Sequence, residues 1–414
     1  MQFLSTLSPS VRQYLLVTGN YWSFTLTDGA LRMLVLLHFH TLGYSPLEIA
    51  FLFLFYEIFG VVTNLVGGWL GARLGLNRTM NIGLTLQVCA LAMLLVPSSY
   101  LSVPWVMAAQ GISGIAKDLN KMSAKSSIKL LLPSNAQGAL YHWIALLTGS
   151  KNALKGIGFF MGGALLALMG FRGAVLLMAI ALAVVLLLSK KFLRANLGKA
   201  KAKARFKDVF SKSRSVNILA AARLFLFASR DAWFVIALPV FLASQFNWSH
   251  WQVGAFLASW IIGYGAVQAI APKITASFSP KVPDGRTALL WGGGLTLIPA
   301  LIALALYAGF HPQLSILLGL MVFAVLFAVN SSVHSYLIVA YARDDGVSMD
   351  VGFYYMANAM GRLGGTLLSG WVFQTAGLQA CLLVSTVLLL LATLVSLALP
   401  KHKEEGNSIV NAVA

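Results

Sequence analysis

Apolar residues run along this chain in stretches of about twenty, parted by short turns rich in Gly, Pro and charge. That is the length an α-helix needs to cross the hydrocarbon core of a bilayer, ~20 residues. The pattern predicts helices over 14–40, 47–71, 79–98, 104–131, 139–168 and 172–191. After a basic segment it predicts six more, over 217–244, 251–273, 286–309, 313–341, 348–376 and 378–399. The expected fold is therefore all-α and membrane-embedded. Its units are a six-helix bundle over 1–193, a basic linker over 194–214, a second bundle over 215–400 and a tail over 401–414.

Composition strengthens this reading. Of 414 residues, 58% are hydrophobic and 10% charged, against roughly 25% charged in soluble domains, which leaves no room for a sizeable soluble domain. The two cysteines, Cys89 and Cys381, lie in apolar runs, which argues for packing and against a disulfide framework or thiolate metal site. The opening MQFLSTLSPSVRQYLLVTG lacks the order of a cleaved signal peptide, so the first apolar run is expected to stay as helix one. No GxxxxGK[ST] loop or HExxH occurs and the seven histidines are scattered. No cofactor, metal or enzymatic activity is expected.

The formal charge is +18, and its placement matters more than its size. Ten cations fall in KKFLRANLGKAKAKARFKDVFSKSR, the central loop. Arg12, Arg73, Arg78, Lys273, Lys281, Arg286, Arg343, Lys401 and Lys403 occupy the termini and even-numbered loops, while the odd-numbered loops offer only Arg172. Cytoplasmic loops hold the excess of Lys and Arg, so both termini are expected in the cytoplasm, with the central loop mainly a topology determinant. Nothing in this distribution calls for a nucleic-acid partner. The aromatics, Trp22, Trp69, Trp143 and Trp251 among them, read as interface anchors and packing.

The two sets of six resemble each other weakly. Asp28 matches Asp231 at an offset of 203, Asn64 matches Gln268 at 204, and NALKGIG (152–158) matches NAMGRLG (358–364) at 206. Duplicated six-helix halves with a cytoplasmic linker resemble the major facilitator superfamily, which implies alternating access around a midplane site. The superfamily's loop signature is present in part: Gly68, Arg73, Gly75 and Arg78 fit, but Ala72 stands where an acidic residue is usual. Glycine-rich GIGFFMGG and GRLGG suit close contacts of the moving helices five and eleven.

Charges inside the helices carry the functional argument. A Lys, Arg or Asp at a membrane-helix centre costs about 2.5 to 3.5 kcal/mol on insertion scales, so it should face a cavity or a partner. Helix one holds Asp28 and Arg32; helix two, Glu57; helix four, Lys117, Asp118, Lys121, Lys125 and Lys129. Helix five holds Lys151 and Lys155; helix seven, Arg223, Arg230 and Asp231; helix eleven, Arg362. Helices three, six, nine and twelve hold none in their interiors, and in the fold this chain resembles those four are the outer helices. Lys117, Lys121 and Lys125 share one helix face, as do Lys151 and Lys155. Arg32, Lys117, Lys121, Lys151, Lys155, Arg223, Arg230 and Arg362 outnumber Asp28, Glu57, Asp118 and Asp231 by four. An excess of that size suits a multiply charged anion, with arginine forks and lysine point charges fitting a tetrahedral oxyanion. A hydrophobic-cation exporter would instead carry acids and aromatics in an apolar cavity.

Blander readings are open at some positions. The acids could neutralise neighbours, Asp28 with Arg32, Asp118 with Lys121, and Asp231 with an arginine of another helix. Lys125, Lys129 and Arg223 could snorkel to the cytoplasmic interface, a reading favoured for Lys129. His334, beside Asn330, Ser331 and Ser332, could be a polar cavity wall or a helix contact.

The runs TGNYWSFTLTDGALRMLVLLHFHTLGYSPLEIAFLFLFYEIFG, TNLVGGWLGARLGLN, GIAKDLNKMSAKSSIKLL, LTGSKNALKGIGFF and NILAAARLFLFASRDAWFV are similar to the ArsJ family of organoarsenical efflux permeases. The likeness covers most of the chain. It implies a functional partnership with glyceraldehyde-3-phosphate dehydrogenase, which makes 1-arseno-3-phosphoglycerate, the ester that such a permease exports from the bacterial cytoplasm. Depth and facing single out Arg32, Lys117, Lys121, Lys151, Lys155, Arg230 and Arg362 as expected substrate contacts. Asp28, Asp231 and Glu57 are the coupling candidates, and Arg223, Asp118, His334, Asn64 and Gln268 have secondary roles. A monomer in the inner membrane is expected. An organophosphate/phosphate exchanger, or another proton-coupled organic-anion exporter, is the alternative.

Overall fold

The computed structural model describes residues 9–43, 52–132, 136–193, 197–200, 210–211, 213–279 and 281–401. Among these residues there is no strand. The α-helices are α1 (Pro9–Thr41), α2 (Leu54–Leu74), α3 (Leu76–Met93), α4 (Val103–Leu131), α5 (Gln137–Phe192), α6 (Arg214–Phe234), α7 (Ala237–Gln245), α8 (His250–Phe278), α9 (Gly285–Tyr307), α10 (Pro312–Tyr341) and α11 (Val347–Ser396). Most of the expected linker and nearly all of the tail lie outside the described residues. Among the described residues, six helical paths are long and apolar enough to cross a membrane: α5, α6 with α7, α8, α9, α10 and α11.

Helix breaks follow local chemistry. α5 turns at Gly170 (φ 68°) and α11 at Gly377 (φ 77°), a backbone region open chiefly to glycine. These are the positions where the apolar pattern separates predicted helices five from six and eleven from twelve. The single helix expected over 217–244 is instead two pieces, α6 and α7. Pro239 has no N–H to donate and its ring crowds the carbonyl four residues back, at Val235, where the break falls.

The start of α1 meets the end of α5 where Gln13 Nε2 donates to the Phe192 carbonyl (3.0 Å). The start of α9 meets the end of α11 where the Gly285 N–H donates to the Pro400 carbonyl (2.9 Å). Leu197, just past α5, accepts from the Leu76 N–H after α2, and Ser348 at the start of α11 donates to Gly68 near the end of α2. Tyr341 at the end of α10 donates to the Pro400 carbonyl, so both described chain ends lie at one end of the bundle, the terminal end. There α2 crosses α11 and α5 crosses α8 at glycines. A Cβ on Gly68 would sit 2.6 Å from the Ser348 carbonyl, and one on Gly265 2.6 Å from the Ala153 nitrogen. The Ser348 hydroxyl donates to the Gly68 carbonyl (2.8 Å), and the Ala200 N–H to the Ala72 carbonyl (2.8 Å). Neutral hydrogen bonds thus join the elements where the loop signature lacks its acid.

The repeat is sharper in three dimensions than in sequence. Gly149, Gly158 and Gly162 of α5 meet α8 and α1, and Gly352, Gly361 and Gly365 of α11 meet α2 and α6. Each pair is offset by 203, so the sequence offset of 206 in this region is out of register by three. Apart from Gly149 and Gly352, these glycines join α5 to α1 and α11 to α6 in tight backbone contacts.

Large apolar side chains face outward on the elements that carry no interior charge. Ile180 and Leu187 on the second arm of α5, Leu297 and Leu304 on α9, and Leu383 and Val387 on the second arm of α11 are exposed. These elements, with α3, contribute nothing to the cavity described next.

Candidate functional site

A cavity of about 260 Å³ lies between α1, α2, α4 and α5 on one side and α6, α8 and α11 on the other, with Ser331 of α10 at its edge. Its construction begins at Tyr56, a fully buried ring one turn inside α2. The Tyr56 hydroxyl donates to Asp28 Oδ1 (2.8 Å) and Oδ2 (2.9 Å). Over the ring face lie the Arg32 guanidinium, 4.2 Å from the centroid, and the Lys117 ammonium at 3.8 Å. Arg32 therefore does not pair with Asp28 one turn away; it reaches Glu57 Oε1 across the helix interface at 2.8 Å.

The same device recurs at Phe227, which lies beneath Arg223 (4.0 Å) and Arg230 (4.8 Å), its neighbours one turn away in either direction on α6. Tyr355 seats Lys121 against its ring (4.7 Å) and takes a hydrogen bond from Lys125 at its hydroxyl edge. Tyr56 and Phe227 each offer a negative ring face to two cations, which eases like charges into a confined space without cancelling them.

Carboxylates neutralise part of the remainder. Asp118 takes Lys121 at 2.5 Å and Lys117 at 3.8 Å. Asp231 takes Arg230 at 2.5 Å and Arg362 at 3.2 Å, and Arg362 also reaches Glu57 at 3.8 Å. Through Arg362, α11 is tied to both α6 and α2. Lys151 and Lys155 have no carboxylate within 4.0 Å among the described residues.

The lining holds all seven expected substrate contacts, together with Asp28, Glu57, Asp118, Asn64, Gln268 and Arg223. Gln268 accepts from Asn152 (2.6 Å) and donates to Ser331 Oγ (3.1 Å). Two expected members lie elsewhere. Asp231 is wholly buried behind Arg230 and Arg362 rather than in the wall. His334 is buried and absent from the lining, and among the described residues its Nδ1 has no hydrogen-bond partner.

Lys125 and Arg223 depart from the snorkelling alternative. Each is 3% exposed and lines the cavity. Lys129 does leave it, reaching Asp344 (3.3 Å) and the Ala342 carbonyl at the terminal end. With Lys125 included, nine cations line the cavity against three carboxylates. Sequence reasoning also missed Tyr56, Phe227 and Tyr355. Phe227 was legible as a ring one turn from each arginine of α6, but the other two meet cations from other helices.

Sequence comparison bears on the architecture directly: a profile of the Major Facilitator Superfamily matches residues 14–298 and 219–412. The chain belongs to the Major Facilitator Superfamily. It is a multi-pass membrane transporter, and superfamily structures overlay nearly its whole length. The crystal structure of the human organic anion transporter MFSD10 (TETRAN) matches with a TM-score of 0.72 at 18% identity, covering 94% of this chain and 100% of that one. A bacterial homologue of the iron transporter ferroportin in its outward-facing state matches with a TM-score of 0.73 at 14% identity, covering 94% and 99%. The superfamily transporter FucP in the outward conformation matches at 0.70 and 10%, again covering 94% and 99%. At these identities the likeness shows the fold. No curated protein matches the sequence.

Proposed function

We propose that this transporter exports a small, multiply charged organic anion, 1-arseno-3-phosphoglycerate, from the cytoplasm across a bacterial inner membrane, conferring arsenate resistance. The observation that carries the reading is the excess of cations at the cavity, nine in the wall against three carboxylates there and Asp231 behind it. Cations in a membrane-embedded site face a large desolvation penalty that a polyanion relieves. The ArsJ resemblance supplies the arsenic chemistry and the partnership with glyceraldehyde-3-phosphate dehydrogenase.

In this reading residues 1–193 and 215–400 are two six-helix bundles, joined by a cytoplasmic linker, that rock about the cavity. Arg32, Lys117, Lys121, Lys151, Lys155, Arg230 and Arg362 contact the substrate. Glu57 is the strongest coupling candidate. It is 39% exposed and held by Arg32 and Arg362, the two arginines an anion would recruit. A carboxylate beside a basic site can take up a proton when the anion leaves, which suits exchange of proton for anion. Asp28 and Asp231, both buried and partnered, are the other two.

The test is arsenic accumulation in energised everted membrane vesicles given arsenate, with and without glyceraldehyde 3-phosphate, its dehydrogenase and the nicotinamide cofactor. Uptake is expected only with the full mixture, and is lost in Arg230→Ala. Exchange of phosphate for sugar phosphates without arsenic uptake would overturn the arsenic reading in favour of an organophosphate/phosphate exchanger.

A further inference from the structure

The cavity cations form two tiers, and carboxylates neutralise only one of them. On α4, Lys117 and Lys125 are eight residues apart, about 12 Å along the helix axis; Arg223 and Arg230 on α6 are seven apart, about 10 Å. α11 repeats the step from Tyr355 to Arg362. In the tier far from the terminal end, Lys117, Arg230 and Arg362 each lie within 4.0 Å of a carboxylate. In the tier near it, Lys125 and Arg223 have no carboxylate within that distance among the described residues, yet both are 3% exposed.

Neutral groups hold this deep pair in place. Lys125 donates to the Tyr355 hydroxyl. Arg223 donates to Asn358 Oδ1 (2.9 Å) and to the carbonyl and hydroxyl of Ser331 (3.2 and 3.1 Å). Tyr355 and Asn358 are one turn apart on α11, so the two cations converge on one helix face from different sides of the cavity. Hydrogen bonds to neutral oxygens orient a cation without cancelling its charge, and two buried like charges repel. Lys151 and Lys155 also lack carboxylate partners, but they are only partly buried and can be hydrated from the cavity.

We propose that Lys125 and Arg223 form a separate subsite, at the end of the cavity near the chain termini, for a tetrahedral oxyanion head of the phosphoryl or arsonyl class. With Nε and Nη1 held by Asn358 and Ser331, Arg223 presents Nη2 to one oxygen of the head and Lys125 its ammonium to another. The head belongs either to a free inorganic oxyanion or to one end of an ester whose other charged end lies against Lys155 and the far tier. That second possibility rests on the reading under Proposed function, whereas the subsite itself does not.

The experiment is equilibrium binding of inorganic phosphate and of 3-phosphoglycerate to the purified full-length protein in nanodiscs. Lys125→Gln and Arg223→Gln are each expected to weaken both ligands at least tenfold, a loss typical of one charge-assisted hydrogen bond. Lys125→Arg should bring binding back to within about threefold, which separates lost charge from misfolding. Lys155→Gln should weaken 3-phosphoglycerate and leave phosphate within about twofold. Unchanged affinities in both glutamine variants, or no binding of either ligand to the unmodified protein, would overturn the subsite. Phosphate binding that needs Lys125, with no binding of 3-phosphoglycerate, would uphold the subsite and sink the two-ended ester. Binding of 3-phosphoglycerate alone, lost in Lys125→Gln, would assign the head to an ester.

Discussion

The Tyr56 hydroxyl donates to both carboxylate oxygens of Asp28, at 2.8 and 2.9 Å. That one contact decides the pairing around it. With Asp28 held by a phenol, Arg32 is left to bridge to Glu57, and the ring beneath it also seats Lys117.

Tyr56→Phe keeps the ring and removes the donor. Asp28 is 4% exposed, and an unsatisfied buried polar group costs about 1–3 kcal/mol. The variant should melt at a lower temperature in detergent while retaining much of its transport, whereas Tyr56→Ala, which also loses the cation seat, should transport at least about tenfold more slowly. Equal transport by the two variants would remove the ring from the site.

Asp118→Asn releases two lysines at once, since Asp118 takes both Lys117 and Lys121. The cavity gains positive charge. Tighter anion binding and slower release are expected, so KM and the maximal rate should both fall in vesicle uptake. A raised KM would mean that Asp118 instead orients the lysines for the substrate.

Gly149→Ala places a methyl against the Ala269 nitrogen and Gly265 carbonyl, in backbone contact that cannot yield without moving α8. Closure at the terminal end should weaken. In this background a cysteine introduced at Thr275, buried at that end, should react faster with a water-soluble maleimide added from the side of the chain termini. Unaltered labelling would show that the α5–α8 crossing does not hold that end shut.

Lys129→Gln is the control for charge alone. Lys129 pairs with the exposed Asp344 and is absent from the cavity wall, while Lys155 lines it. Initial uptake rates should change less than about twofold in Lys129→Gln, whose amide can still donate to the Ala342 carbonyl and whose lost ion partner is exposed, and collapse in Lys155→Gln. Similar losses in both would indicate a general electrostatic effect rather than a local contact.

The sequence alone determined the all-helical, membrane-spanning fold and its turns at Gly170 and Gly377, because apolar runs of bilayer length and turn glycines act locally: span length and turn conformation need no distant partner. It also separated the charge-bearing helices from the outward-facing ones, since the insertion cost of an ionised side chain applies residue by residue. Helix periodicity made Arg223, Phe227 and Arg230 a legible set.

Tertiary structure decided who partners whom. Arg32 has Asp28 one turn away and takes Glu57 instead, because Tyr56 arrives from α2 to claim Asp28. Asp231 withdraws behind the wall and His334 leaves it, while Lys125 and Arg223, which spacing set on the faces of Lys117 and Arg230 but whose depth left snorkelling open, enter it. Such assignments depend on the angles and depths at which separate helices cross, set here by close approaches such as Gly68 on Ser348 and Gly149 on Gly265. Those distances arise only when segments hundreds of residues apart are packed together.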